Sequence, residues 1–178
     1  MCEFAAPTSL QATGIDVQDG DTQRSYIRNV DVVFDDISGL QDLIDNNRIE
    51  VERFDLNNAT PTQGTGTAIT GFSAATNANQ IQLDFGADGI GGVGHAGNGF
   101  YRIAIDMDGD GGFDDAIFEF FRLYGDADGD GTVGRNDRRV LEDLTGDGLI
   151  NSADRRLYRA EARRRDKLHD DLFAELDD

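Results

Sequence analysis

The stretch Asp126-Ala-Asp-Gly-Asp-Gly-Thr-Val-Gly-Arg-Asn-Asp137 decides how the C-terminal part of this chain folds. Oxygen-bearing side chains occupy its first, third, fifth and twelfth positions, and a glycine occupies the sixth. That spacing suits calcium, which takes about six to eight oxygen ligands in irregular geometry, and the glycine permits the sharp turn. A second stretch, Asp143-Leu-Thr-Gly-Asp-Gly-Leu-Ile-Asn-Ser-Ala-Asp154, repeats the spacing in the same frame. The two copies predict two calcium loops.

The candidate calcium ligands follow from the loop positions. In the first loop they are four carboxylates and one backbone carbonyl: Asp126, Asp128, Asp130, Asp137 and the carbonyl of Thr132. In the second loop they are side chains and one backbone carbonyl: Asp143, Thr145, Asp147, the carbonyl of Leu149, Asn151 and Asp154. Thr145 is a weaker ligand than Asp or Asn. The alternative for both loops is an acidic, turn-rich linker that holds no metal.

A third acidic run, Asp106-Met-Asp-Gly-Asp-Gly-Gly-Phe-Asp-Asp115, fits the calcium pattern in part. Its candidate ligands are Asp106, Asp108, Asp110 and Asp114. The twelfth position is Ile117, which cannot bind a cation, so Asp115 or another loop would have to complete the ligand shell. The flanking segments have strand-like patterns, and the alternative is a polar loop between two strands.

Seven short segments before the calcium loops have strand-like patterns: residues 9–18, 25–35, 48–56, 65–73, 80–85, 100–107 and 116–124. Apolar and polar residues alternate in Ile81-Gln-Leu-Asp-Phe85 and in Tyr101-Arg-Ile-Ala-Ile-Asp106, the period of a half-buried strand. Turn-prone clusters separate the segments. The spacing predicts an immunoglobulin-like antiparallel β-sandwich, with one helical turn over residues 38–45.

Helix signals flank the two loops. A helix that starts at Asn136 or Asp137 and runs to Asp143 would join them, and a longer helix would start at Ser152 or Asp154. No helix signal precedes the first loop, where the strand-like segment 116–124 stands instead.

The order of loops and helices resembles a dockerin-type repeat pair, an EF-hand-like arrangement with Asp at the twelfth loop position. The resemblance covers about residues 124–165. Dockerins of cellulosome systems bind cohesin domains largely through the tenth and eleventh loop positions, which here are Arg135 and Asn136, then Ser152 and Ala153. The resemblance implies a partner-binding surface at these four residues, although the two pairs differ and the link between the loops is short.

The segments Asp19-Gly-Asp-Thr-Gln-Arg-Ser25 and Phe118-Glu-Phe-Phe-Arg-Leu-Tyr-Gly-Asp126 carry a broader likeness. Together they resemble the C-terminal region of large exported bacterial proteins, in which a β-sandwich precedes a dockerin-like tail. This resemblance implies a secreted or cell-surface module without catalysis. The strand-like segments, the acidic loops and the charged C-terminal residues together predict a β-sandwich domain at residues 1–124 and a calcium-binding domain with a long C-terminal helix at residues 125–178.

Composition argues against several classes of function. The chain has 178 residues and a net charge of −19, which opposes binding to the phosphates of nucleic acid. It contains no run of about 18 apolar residues, so no membrane-spanning segment is predicted. Cys2 is the single cysteine, and no Ser/His/Asp or Cys/His set stands out, so no enzyme is predicted.

Three functions follow from these observations. The first is a calcium-binding extracellular or cell-surface structural or adhesion module, because such loops fill at calcium concentrations of about a millimolar. The second is a dockerin-like module that binds a cohesin-type partner and anchors a larger protein or a polysaccharide-degrading enzyme. The third is a carbohydrate-binding domain, which the absence of Trp disfavours.

Overall fold

The computed structural model describes residues 10–54, 66–140, 143–145 and 149–164. In these ranges the chain forms eight β-strands and two α-helices. The strands are β1 (Ala12–Val17), β2 (Asn29–Phe34), β3 (Ile49–Phe54), β4 (Thr67–Ala68), β5 (Ser73–Asn77), β6 (Gln80–Asp84), β7 (Gly99–Ile105) and β8 (Ala116–Arg122). The helices are α1 (Leu40–Asp45) and α2 (Ser152–Arg164).

The strands form two four-stranded antiparallel sheets. Sheet one has the order β1-β2-β6-β5, and sheet two has the order β4-β3-β7-β8. All the neighbouring pairs are antiparallel. The prediction of a mainly β chain with a small helical part is therefore confirmed.

The core lies where the inner faces of the two sheets meet. Val32 of β2 and Leu83 of β6 face Ile103 of β7 in one apolar cluster, and all three side chains are fully buried. Helix α1 adds Leu40 and Leu43, which are one turn apart on its buried side. Each such aliphatic side chain contributes about 1.5–3 kcal/mol by leaving water.

One predicted strand is wrong. Within the predicted segment 65–73, only Thr67–Ala68 and Ser73 belong to strands, and Ser73 begins the separate strand β5. The residues of β5 are small or polar and mostly exposed, because β5 lies at the edge of sheet one and pairs only with β6. A strand with little to bury shows no clear alternation of apolar and polar residues.

The helix predicted between the first two acidic loops is also wrong over the described residues. A single 3-10 turn, Asp137–Arg139, stands there. It ends at Val140, whose backbone angles (φ −102°, ψ 43°) are not helical. The predicted C-terminal helix is present as α2 from Ser152 to Arg164, and its continuation lies outside the described residues.

Candidate metal centre

The first acidic loop begins where strand β8 ends, and it is tied to the segment that precedes β2. The Leu123 amide donates to the Arg24 carbonyl at 3.0 Å, and the Arg24 amide donates to the Asp126 carbonyl at 2.9 Å. The Gly125 amide donates to the Ser25 hydroxyl oxygen at 2.9 Å. These contacts continue the hydrogen bonding at the edge of sheet two beyond β8. The backbone at the start of the loop is therefore fixed relative to the sheet.

A close backbone approach fixes the fourth position of the same loop. Gly129 has a φ of 75°, and a Cβ added to it would lie 2.0 Å from the Thr22 carbonyl oxygen. Only glycine fits there, both because φ is positive and because the two backbones nearly touch.

Asp126 is fully buried and forms the base of the loop. Its Oδ1 accepts the Gly129 amide at 2.7 Å, and its Oδ2 accepts the Gly131 amide at 3.0 Å. Burial, and after it the charges of Asp137 and Asp130, nevertheless raise the pKa of Asp126 to about 6 against the effect of those hydrogen bonds. A cation beside Asp126 would reverse that shift, because it favours the charged form.

Three carboxylates meet in this loop. One oxygen each of Asp126, Asp128 and Asp130 lies within 4.8 Å of the others. Asp126 is buried, Asp128 is half-buried and Asp130 is exposed, so the cluster opens to solvent on one side. Burial and the charges of Asp137 and Asp130 raise the pKa of Asp128. The group can hold a metal ion, and oxygen-only ligands favour a hard cation.

Asp137 closes the loop from its twelfth position. It is 1% exposed, its Oδ1 accepts the Ala127 amide at 2.8 Å, and its Oδ2 accepts the Gly134 amide at 2.5 Å. Both carboxylate oxygens are thus oriented by backbone groups from the two sides of the loop.

Asp154 does the same in the second loop. Its Oδ1 accepts the Thr145 amide at 3.0 Å, and its Oδ2 accepts the Asn151 amide at 2.6 Å. Burial opposes charge on Asp154, but these hydrogen bonds outweigh it and hold its pKa below the ordinary value. The two loops therefore share one closing geometry as well as one sequence pattern.

The structure places most of the other predicted ligands of the second loop near Asp154. The Thr145 hydroxyl oxygen lies 3.0 Å from Oδ1 of Asp143 and 3.0 Å from Oδ1 of Asp154, so its single proton can be donated to either carboxylate. The Asn151 side-chain amide donates to the Leu149 carbonyl at 3.3 Å. Asp147, the predicted ligand at the fifth position, lies outside the described residues.

The third acidic loop, between β7 and β8, repeats the hydrogen bonds of the first. Oδ1 of Asp106 accepts the Gly109 amide at 2.6 Å, and its Oδ2 accepts the Gly111 amide at 3.2 Å. Asp106 is 5% exposed, and Asp108 lies two residues further on, as Asp128 does after Asp126. The sequence predicted this loop as a partial match, and its first five positions fold as those of the first loop do.

The third carboxylate of this loop is Asp115. One oxygen each of Asp106, Asp108 and Asp115 lies within 4.8 Å of the others. Oδ2 of Asp115 accepts the Met107 amide at 2.7 Å and the Asp108 amide at 3.0 Å, as Asp137 does in the first loop. The predicted candidates Asp110 and Asp114 stand outside this group. Asp110 accepts the Gly112 amide at 2.7 Å.

The four residues at the proposed partner surface point mostly to solvent. Arg135, Asn136 and Ser152 are exposed, and Ala153 is half-buried. None of them forms part of the two acidic groups described above.

No family model, no curated protein and no solved structure matches the chain. Among the described residues, no helix combines the length and the apolar character that crossing a membrane requires. Any functional conclusion rests on the residues of the chain itself.

Two features of this site were predicted from the sequence only in part or not at all. Asp115 was expected in the third loop only as an alternative to a residue from another loop, because it stands at the tenth position, where the twelve-residue spacing places no ligand. Thr22, Arg24 and Ser25, which contact the first loop, belong to a segment about 100 residues earlier in the chain. No local sequence pattern predicts these contacts.

Proposed function

We propose that this chain is a calcium-binding extracellular or cell-surface module with a structural or adhesive role. In this proposal, calcium in the acidic loops fastens the C-terminal segment, a dockerin-like pair of loops, to an immunoglobulin-like β-sandwich. The observation that carries the proposal is the group formed by Asp126, Asp128 and Asp130 on a loop anchored to the edge of sheet two.

Electrostatics support the proposal. The three carboxylates lie within 4.8 Å of one another, and Asp137 stands close enough to raise the pKa values of Asp126 and Asp128. Like charges at such distances repel by about 1 kcal/mol per pair in water and by more where solvent is excluded. A divalent cation turns this repulsion into attraction, so the ion and the fold stabilise each other.

The second loop supports a paired arrangement. Leu144, near its start, packs with Tyr124, two residues after β8, and with Tyr158 of α2. A cation that orders either loop therefore acts on the same small apolar cluster, and through it on the junction with the β-sandwich.

Calorimetric titration of the full chain with calcium tests the proposal. We expect saturable binding and a melting temperature that rises with calcium and falls in chelator. The double variant Asp126→Asn with Asp128→Asn should lose one binding event. Asp88→Asn is the matched control, because Asp88 is an exposed aspartate outside the acidic loops. A chain that binds no calcium and melts alike with and without chelator would falsify the proposal.

A dockerin-like role with a cohesin-type partner is the second candidate. The observation that favours it is the exposure of Arg135, Asn136 and Ser152, the positions through which dockerins bind. Calcium-dependent capture of a purified cohesin domain tests it. The double variant Arg135→Ala with Asn136→Ala should weaken capture without changing calcium binding, whereas unchanged capture argues against this surface.

A further inference from the structure

The outer face of sheet one carries a group of oxygen atoms that the acidic loops do not include. Asp16 of β1 and Asp31 of β2 are directly opposite each other in the sheet register. Like charges directly opposite on one face destabilise a strand pair. The neighbours of Asp31 in β2, Val30 and Val32, point into the core, so Asp31 points away from it.

Asp31 is nevertheless only 7% exposed. Gln82 of β6 stands opposite it on the other side and is hydrogen-bonded to its carboxylate. The remaining oxygen, Oδ1, is inaccessible to solvent and has no hydrogen-bond partner. A buried carboxylate oxygen without a partner costs several kcal/mol if it is charged, so something of opposite charge is expected beside it.

Asn29, two residues earlier on β2, presents a second buried oxygen without a partner. Its Oδ1 accepts no hydrogen bond from the described residues, while its Nδ2 donates to Oδ2 of Asp19 at 3.3 Å. The amide orientation therefore leaves its carbonyl oxygen free for a ligand. Two orphaned oxygens on alternate residues of one strand face the same side of the sheet.

The turn after β1 brings a third carboxylate to this face. Gln18, Asp19 and Gly20 have consecutive φ values of 54°, 55° and 79°. Left-handed backbone at two non-glycine residues costs roughly 1–2 kcal/mol per residue. The turn curls back towards β1, since a Cβ on Gly20 would lie 3.6 Å from Oδ1 of Asp16.

No positive side chain within the described residues neutralises this group. The ion pairs of those residues involve other aspartates and glutamates. Arg28, the nearest arginine in sequence to Asn29, stacks on the Tyr26 ring at 4.9 Å. Burial first, and then the charges of Asp19 and Asp16, raise the pKa of Asp31 against the hydrogen bond from Gln82.

We propose that this face holds a further cation site, with Oδ1 of Asp31 and Oδ1 of Asn29 as fixed ligands. Asp16 and Asp19 complete it. Four oxygen ligands, three of them carboxylates, suit a hard divalent cation such as calcium. The carboxylates stand further apart than those of the acidic loops, so the exposed Asp19 closes on the ion by side-chain rotation. The ion would tie the turn at residues 18–20 to β2.

Residue-resolved NMR of the full chain, titrated with calcium, tests the site. We expect saturable shifts of the amides of Asp16, Asp19 and Asp31. Asp31→Asn keeps the size of the side chain and removes its charge. In this variant the calcium affinity measured at these amides should fall at least about 10–100-fold, which is the range for loss of a residue that only supports a metal ligand. The amide signals of Gly129 and Gly131 report calcium binding at the first acidic loop. Absence of binding at one site can therefore be distinguished from absence of binding at the other.

Asp45→Asn is the matched control, because Asp45 is an exposed aspartate at the end of α1 and not on this face of sheet one, and it should leave the titration unchanged. In chelator, Asp31→Asn should melt at or above the temperature of the wild type, because it removes a buried charge without a partner. The proposal is overturned if the amide signals of residues 16–31 do not shift with calcium, or if they shift in Asp31→Asn as they do in the wild type. The protonation state of Asp31 can be measured by carbon-13 NMR in chelator and in calcium. If Asp31 is protonated at neutral pH under both conditions, the proposal is also overturned, because a proton then occupies the place of the ion.

Discussion

The Tyr124 hydroxyl donates a hydrogen bond to the Leu144 carbonyl. Tyr124 ends the segment that follows β8, and Leu144 opens the second acidic loop, and both residues are almost fully buried. Their contact joins the β-sandwich to the C-terminal segment inside an apolar cluster that Tyr158 completes. The two parts of the chain are thus linked by a buried polar contact as well as by apolar packing.

Replacement of Tyr124 by Phe should reduce the free energy of unfolding by about 1–3 kcal/mol, because the buried Leu144 carbonyl loses its donor. Amide hydrogen exchange should rise in α2 and at Thr145 and stay unchanged in β2 and β7. Tyr26→Phe is the control, since the Tyr26 hydroxyl donates to the Ala87 carbonyl in a more exposed place. Equal exchange in α2 for both variants would contradict the role given to Tyr124.

Gly129→Ala should destabilise the first loop by far more than the backbone strain of a positive φ at alanine would explain. Gly129 and Gly86 share a φ of 75°, so alanine costs about 1–2 kcal/mol of backbone strain at either position. At Gly86 an added Cβ meets nothing within 4 Å, whereas at Gly129 it lies 2.0 Å from the Thr22 carbonyl oxygen. Chemical denaturation should therefore give a larger loss for Gly129→Ala, together with weaker calcium binding. Similar losses for the two variants would show that the contact with Thr22 does not hold the loop.

Asp126 gives the chain without calcium an unusual dependence on pH. Its pKa of about 6 in the folded state lies above the value near 4 of an unfolded aspartate. The folded state then binds more protons between these values, so the free energy of unfolding falls as pH rises from about 4 to about 6. The loss is about 3 kcal/mol at most.

If calcium binds as proposed, it should reverse that trend, because an ion at the carboxylate would compete with the proton. Denaturation curves in chelator and in calcium, recorded between about pH 4 and pH 7, measure both slopes. Asp126→Asn should flatten the slope in chelator. If the dependence of stability on pH in chelator is as steep in Asp126→Asn as in the wild type, the titrating group is not Asp126.

Arg122→Met should release the glycine-rich loop at residues 89–99. Arg122 is fully buried and donates from Nη2 to the Gly92 carbonyl at 2.8 Å and to the Gly94 carbonyl at 3.1 Å. Burial lowers its pKa, so the removal of a buried charge offsets part of the lost hydrogen bonding. We expect faster amide exchange at residues 92–98, a small change in stability and unchanged calcium binding. Unaltered exchange in that loop would show that the glycines alone determine its shape.

The acidic loops show how far the sequence predicts this site. Twelve-residue spacing is a local property, because each ligand is fixed relative to its neighbours by one turn of backbone. The positions of Asp126, Asp128, Asp137 and Asp154 could therefore be predicted before the structure was known. Asp115 could not be selected over Asp114, because the choice depends on how strands β7 and β8 enter the loop.

The outer face of sheet one shows where sequence reasoning ends. Asp16 and Asp31 become neighbours only through the register of β1 and β2, and register depends on the whole sheet. Strand β5 was missed for a related reason, since its small polar side chains bury little and leave no alternating pattern. The alternation in β6 and β7, whose inward residues fill the core, was predicted because that core imposes it.

Strand β8 lies between two acidic loops, with Asp115 immediately before it and Asp126 shortly after it. Its seven residues span about 20 Å, so a cation in each loop would clamp opposite ends of one strand. Tension applied to the C-terminal segment would then load β8 lengthwise against β7. Its backbone hydrogen bonds would have to shear together instead of opening one at a time. Calcium would in this way set the force that the module withstands as well as the temperature at which it melts.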